Sequence, residues 1–168
     1  MVLVTYTTKY GSTEEVAQAV AVVMREAGVD VDIRPMRNVR TVEGYDGLVL
    51  GTALYMSRLH SDARRFLSLH RDALGKRPVA LFVLGPVQNV EKDWVGARQH
   101  LKKELAKFPW FAPISTEVFG GRFDPTKLGL PFSLIPPLRK MPASDVRDWT
   151  AIRAWAKQQA AALQPVLR

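Results

Sequence analysis

Short apolar runs alternate with helix-patterned segments along the whole chain, and that rhythm leaves few folds open. Apolar or β-branched runs stand at 2–6 (VLVTY), 29–35 (VDVDIRP), 45–52 (YDGLVLGT), 78–85 (PVALFVLG) and 114–121 (ISTEVFGG). Between them apolar residues recur at helical spacing: Val16, Val20, Val23 and Ala27; Phe66, Leu67, His70, Ala73 and Leu74 within 61–74; Trp94, Ala97, Leu101 and Leu105 within 91–107; Trp149, Ile152, Ala156 and Leu163 on a last helix from about 145 to 163. Strands alternating with helices predict an α/β fold, a parallel sheet covered on both faces with right-handed crossovers. The 29–35 run, ending at Pro35, reads as an edge strand. A chain of 168 residues without repeats or linkers is expected to form a single domain, 1–168. One stretch breaks the rhythm: residues 122–144 hold five prolines and favour neither a long helix nor a central strand.

Composition narrows the chemistry. There is no cysteine, which excludes disulfides, thiolate-held clusters and redox dithiols. The longest apolar run is too short to span a bilayer and no secretory leader is legible, so a cytoplasmic location is expected. Lys and Arg total 24 against 16 Asp and Glu, a net charge of +8, which favours anionic partners. No recognised nucleic-acid motif accompanies that charge, and a nucleic-acid partner is not expected.

In open α/β sheets ligands bind beyond the carboxyl ends of the strands. The first such loop reads TTKYGST, residues 7–13, and runs into a helix. Ser12 with Glu15 fits a capping box, Gly11 permits close approach of the backbone, and Thr8, Ser12 and Thr13 add hydroxyl donors. Free N–H groups at a helix start make this a phosphate cradle. The spacings of a Walker loop and of a dinucleotide fingerprint are both absent. So are a nucleophile elbow and a zinc-protease helix. His70 and His100 have no second ligand at metal spacing, and no metal site is expected.

The segment VTYTTKYGSTEEVA resembles the flavodoxin signature: Tyr6, Thr8, Gly11, Thr13 and Ala17 match, while Thr5 stands where an apolar residue is usual. Residues 51–74 and 148–156 are similar to a narrower group, the menaquinone-dependent protoporphyrinogen IX dehydrogenase-like flavodoxin-domain proteins. The resemblance implies a three-layer sandwich with five parallel strands in the order 2-1-3-4-5, and FMN as cofactor. It implies that Thr8, Lys9, Tyr10, Gly11, Ser12 and Thr13 hold the FMN phosphate, with Lys9 itself turned to solvent. Ala53, Leu54, Tyr55, Met56 and Ser57 would lie against the flavin ring, Tyr55 or Met56 giving stacking or soft apolar contact. Leu84, Gly85, Pro86, Val87 and Gln88 would border its other side, and Gly120 and Gly121 would keep the site open. His60 is the weak catalytic candidate, a proton shuttle, against a plainer reading as a solvated residue before a helix capped by Ser61.

The expected function is that of an FMN-binding flavodoxin-like oxidoreductase or electron-transfer protein, taking a redox partner protein, a quinone or a small-molecule substrate. Oxidation of protoporphyrinogen IX with a quinone acceptor, a step of heme biosynthesis, is one specific version. Arg58, Arg122 and Arg139 would then meet the substrate's propionates. A basic surface would make the second reduction of the flavin less negative in potential than in acidic flavodoxins. Residues 122–144, apolar with a basic end, would either touch an anionic membrane surface or pack down as a lid. The alternative is a non-catalytic flavodoxin-fold module binding another phosphate ligand or an anionic partner.

Overall fold

The computed structural model describes residues 1–164. β1 (Val2–Tyr6) is buried along its whole length and pairs in parallel with β2 (Val31–Pro35) on one side and β3 (Gly47–Tyr55) on the other. β3 pairs with β4 (Val79–Leu84), and β4 with β5 (Ser115–Phe119), again in parallel. The strand order is therefore 2-1-3-4-5, with β2 and β5 at the edges. The connecting helices are α1 (Ser12–Glu26), α2 (Ser61–Leu69), α3 (Glu91–Leu105) and α4 (Trp149–Leu163).

Alternation along each strand splits the interior into two cores. Val2, Val4, Val49, Ala80 and Phe82 face α1 and α4, while Leu3, Leu48, Leu50, Leu81 and Val83 face α2 and α3. The first core is tight. Phe82 lies so close over Gly51 that a Cβ there would come within 2.2 Å of its ring, and Phe82, Phe119 and Trp155 pack edge-to-face or tilted around one another.

The structure departs from the sequence expectation in four places, each with a local cause. β3 runs on to Tyr55, turns through Met56 and Ser57, and returns as an antiparallel pair, Arg58–Leu59. Both turn residues have left-handed backbones, φ 47° and 65°, the two-residue turn that matches strand twist. Helix α2 is capped by His60 rather than Ser61: the His60 Nδ1 accepts the Asp62 N–H at 3.1 Å. The helical stretch 61–74 breaks at His70, leaving one further turn at Arg71–Leu74. α4 starts at Trp149, capped by Asp148, rather than near 145, because Ser144–Asp145 pairs with Arg122–Phe123 and closes the proline-rich segment at its base. Within that segment are turns at Pro125–Lys127 and Phe132–Leu134 and a short helix, Pro136–Lys140.

Candidate functional site

β1 delivers the 7–13 loop to the carboxyl edge of the sheet. The Thr7 N–H bonds to Gly51 O at 2.9 Å, and the Thr7 and Thr52 hydroxyls meet at 3.0 Å in the interior. Gly11, at φ +91°, is the residue that turns the chain into α1, a conformation that costs other residues energy. Its N–H goes to Thr8 Oγ1 at 2.8 Å, and the first helical bond runs from Glu15 N–H to Gly11 O at 3.1 Å. The N–H groups of Ser12, Thr13 and Glu14 precede that bond and have no partner among the described residues. The expected capping box is thus corrected. Ser12 is the first helical residue, and the Glu15 carboxylate turns away to Arg147 and Arg122. Thr13 is fully buried and its Oγ1 lacks any partner among the described residues, a costly arrangement in an interior unless an oxygen-rich ligand arrives. Beneath the loop the Tyr6 hydroxyl donates to Glu14 at 2.7 Å; burial, then that carboxylate, push its pKa up to about 12.

Beside this helix start opens a cleft of about 320 Å³, within the range of small-molecule sites. Its floor is Ala53, Leu54, Leu84 and Gly85; Lys9, Tyr10 and Ser12 form one side, Tyr55 and Met56 another. The proline-rich segment supplies the roof through Phe123, Leu128, Phe132 and Leu138, with Val87, Gly121 and Arg122 at the seam. Tyr55 stands between the two loops. Its Oη accepts the Lys9 N–H at 3.2 Å, its ring lies edge-on to Tyr10 and His60, and burial raises its pKa. Met56 is 83% exposed, so it fills no gap in the core. Lys9 is exposed, yet its ammonium does not simply face water: it lies 4.6 Å from the Phe132 centroid and 5.3 Å from that of Tyr10.

Other expected residues fall outside the cleft. Thr8 faces a smaller crevice shared with Glu14, Arg37 and Asp62. Ser57 and Pro86 open to the opposite side of the turn at Met56–Ser57, near His100. Gln88 is exposed. Gly120 is fixed by packing, since a Cβ there would meet Val146 O at 2.2 Å; only Gly121 of the pair reaches the cleft. His60 approaches through its contact with Tyr55. Burial, with help from Lys9 and Arg64 and against Asp62, holds its pKa below the usual imidazole range, in keeping with an Nδ1 that accepts a hydrogen bond.

The roof is tied down by a network that no motif announced. The Gly121 N–H bonds to Pro86 O at 2.7 Å and Ser144 Oγ to Val87 O at 2.6 Å. The Arg147 guanidinium, itself buried, binds Asp145 at 2.7 and 2.9 Å and Glu15 at 2.7 Å, while Arg122 reaches Glu15 at 3.1 Å. The bond from Arg147 holds Asp145 below the usual carboxylate range despite partial burial. For Glu15 burial pulls upward most, but Arg147, Arg122 and Lys127 together outweigh it and its pKa is lowered. On the opposite side, buried Glu104 pairs with Lys107 and accepts the Leu59 N–H at 3.2 Å, holding the return strand in place. The sequence signal for the roof was the apolar composition of 122–144, Leu128, Phe132 and Leu138 included; for Arg147 and Glu104 none was available.

The arrangement suits a ligand with a phosphate ester at the helix start and a flat apolar body in the cleft: three amides and a partnerless hydroxyl for the anion, aliphatic and aromatic walls for the body. Among the described residues no group of three or more His, Asp or Glu could hold a metal ion, and no helix is long and apolar enough to cross a membrane.

Comparison with known proteins identifies the fold family. Residues 3–131 match the family model for a flavodoxin domain. The protoporphyrinogen IX dehydrogenase (quinone) of Escherichia coli strain K12 is 25% identical over 64% of this chain; the match spans 61% of that protein's own length. An NAD(P)H dehydrogenase (quinone) of Methylocella silvestris is 32% identical over 39% of this chain and 44% of its own. A flavodoxin from the domain Archaea superposes with a TM-score of 0.61 over 98% of this chain and 99% of that one, at 11% identity, a likeness of fold.

Proposed function

Because the chain belongs to the flavodoxin domain family, we propose that it binds FMN and works as an oxidoreductase or electron-transfer protein. The observation that carries this reading is the start of α1, where three N–H groups and the buried Thr13 hydroxyl have no partner among the described residues and Ser12 lines an apolar cleft. The residues at 9–13 would take the phosphate, and Ala53, Leu54, Tyr55 and Met56 with Leu84, Gly85 and Val87 would flank the ring. When bound, a flavin supplies one- or two-electron transfer; the chain supplies its position and surroundings. Tyr55 and Met56 offer an aromatic edge and a thioether at the mouth, and Phe132 and Leu138 shield the interior from water. His60 is committed to its helix through Nδ1, which leaves Nε2 as the nitrogen that could hold a proton near Tyr55.

Titration of the folded protein with FMN, followed by flavin fluorescence, tests the reading. FMN is expected to bind, and riboflavin, which lacks the phosphate, to bind at least about tenfold more weakly. Folded protein that ignores FMN would overturn it.

The finer reading is oxidation of protoporphyrinogen IX with a quinone acceptor. It is supported by the likeness to the E. coli enzyme of that name and by a cation at the seam of the cleft, Arg122, suited to a propionate. The roof's outer side presents Leu130, Leu134 and Ile135 to solvent beside Arg139 and Lys140, a composition suited to an anionic membrane surface where a quinone is dissolved. Assay with protoporphyrinogen IX and a menaquinone analogue, with and without anionic vesicles, tests both parts. Turnover is expected, and vesicles that neither bind the protein nor raise its rate would remove the membrane.

A further inference from the structure

A second cleft lies between the Met36–Asn38 turn and α2, away from the roofed site. Its volume is about 400 Å³. Its floor is apolar: Met36 is 4% and Phe66 3% exposed, and Leu69, 67% exposed, stands at the rim. Around that floor stand Arg37, Arg40 and Arg65, and among the described residues none of the three has an ion-pair partner. Three guanidiniums brought together without a counter-charge repel one another, and an anion among them removes that repulsion. The carboxylate lining this cleft, Asp62, forms no ion pair with any of the three, and one carboxylate against three guanidiniums leaves the cleft net positive.

We propose that this cleft binds an organic anion with an apolar body: the acidic group among Arg37, Arg40 and Arg65, the body on Met36, Phe66 and Leu69. The chemistry is specific in both halves. A small inorganic anion would leave the floor wet, and a neutral apolar molecule would leave the guanidiniums unpaired. Arg37 and Asp62 also line the crevice that holds Thr8 and Glu14, so the second cleft adjoins the phosphate loop. An acid bound there changes the field at the start of α1, through Arg37, without entering the roofed cleft. The site stands on its own residues and does not depend on FMN being the ligand next door.

The test is titration of the isotope-labelled, FMN-saturated protein with octanoate and, separately, with octanol, followed through backbone amide shifts. Octanoate is expected to shift the amides of residues 36–40 and 61–70, with affinity that falls as salt rises. R37Q, R40Q and R65Q are each expected to weaken it by about tenfold, and L69S by a smaller factor, with the amide spectrum otherwise unchanged. All three arginines are exposed, so the single variants are expected to fold. Octanol should not shift these amides at the same concentration. Octanoate shifts confined to 53–57 and 121–138, equal binding of octanol and octanoate, or arginine variants within about twofold of the parent would each overturn the proposal. If the parent fails to take up FMN, the same titration of the protein alone still decides the question, because the reporting amides lie outside the roofed cleft.

Discussion

The two walls of the roofed cleft are made in different ways. The inner wall consists of strand ends and a helix start. Its shape follows from sheet register and from backbone hydrogen bonds such as Thr7 N–H to Gly51 O, so it is as rigid as the core behind it. The outer wall, residues 122–144, has a two-residue strand pair, tight turns and one short helix. Its attachment relies heavily on side-chain charges, Arg147 and Arg122 against Glu15 and Asp145. The inner wall presents the N–H groups of Ser12, Thr13 and Glu14, placed by the turn at Gly11. The outer wall can change its apolar lining without disturbing the sheet, so selectivity for the ligand's body is most readily adjusted there.

The largest effect is expected from breaking the outer wall's attachment. Arg147→Met leaves Glu15 and Asp145 without their shared cation, and should cost about 2 kcal/mol, at the low end for a buried ion because both carboxylates are partly exposed. Limited proteolysis should then cut within 122–144 well before the sheet unfolds. Acid acts on the same bonds. Both carboxylates have lowered native pKa values, so their contribution is complete above the ordinary carboxylate range of about 4 and is lost as pH falls through the depressed values. Arg147 stacks on Trp149 at 4.8 Å, so the fluorescence of that residue should change in this window before global unfolding.

Next comes the inner wall. Thr13→Val removes a buried hydroxyl that has no partner among the described residues. Without ligand the melting temperature should hold or rise, while FMN affinity should fall about tenfold. A fall in both would mean that the hydroxyl serves the fold alone. A smaller effect joins the two walls. Lys9→Met should weaken closure of the roof by about 0.5–1 kcal/mol, seen as faster amide exchange at 130–134 with the α1 amides unchanged. The smallest is His60→Asn. Asparagine caps helices as well, so stability should stay within about 0.5 kcal/mol. The pH dependence should nonetheless change. The native His60 pKa is lowered, so its cap is intact above the ordinary imidazole range and weakens as pH falls through the native value, and the variant should lack that loss.

The same contrast explains what could be read in advance. The five strands and the turn into α1 at residues 7–13 were legible because each is local: periodicity for the elements, and hydroxyls with Gly11 at a strand–helix junction for the loop; the strand order came from the resemblance to flavodoxins. Capping was legible in principle but misassigned. Ser12 and Ser61 are good capping residue types, yet the preceding Gly11 and His60 take the role, because Gly11 can adopt φ +91° and the His60 imidazole reaches the Asp62 amide. The partners of Arg147 were not legible, since Glu15 lies 132 residues away in sequence and only the closed fold brings them together. For Lys9, solvent was the expected surroundings. Its position over Phe132 depends on where the proline-rich segment folds back, which no periodicity encodes.

The turn at Met56 and Ser57 holds strain at the mouth of the cleft. Two successive side-chain-bearing residues are held in a backbone region that asparagine and glycine occupy far more cheaply. The mouth of the pocket is thus a loaded spring, kept bent by the Tyr55–Arg58 pairing and by the clasp of Glu104 on Leu59. Grafting Asn-Gly at this tip would release that strain while leaving the pairing on either side in place.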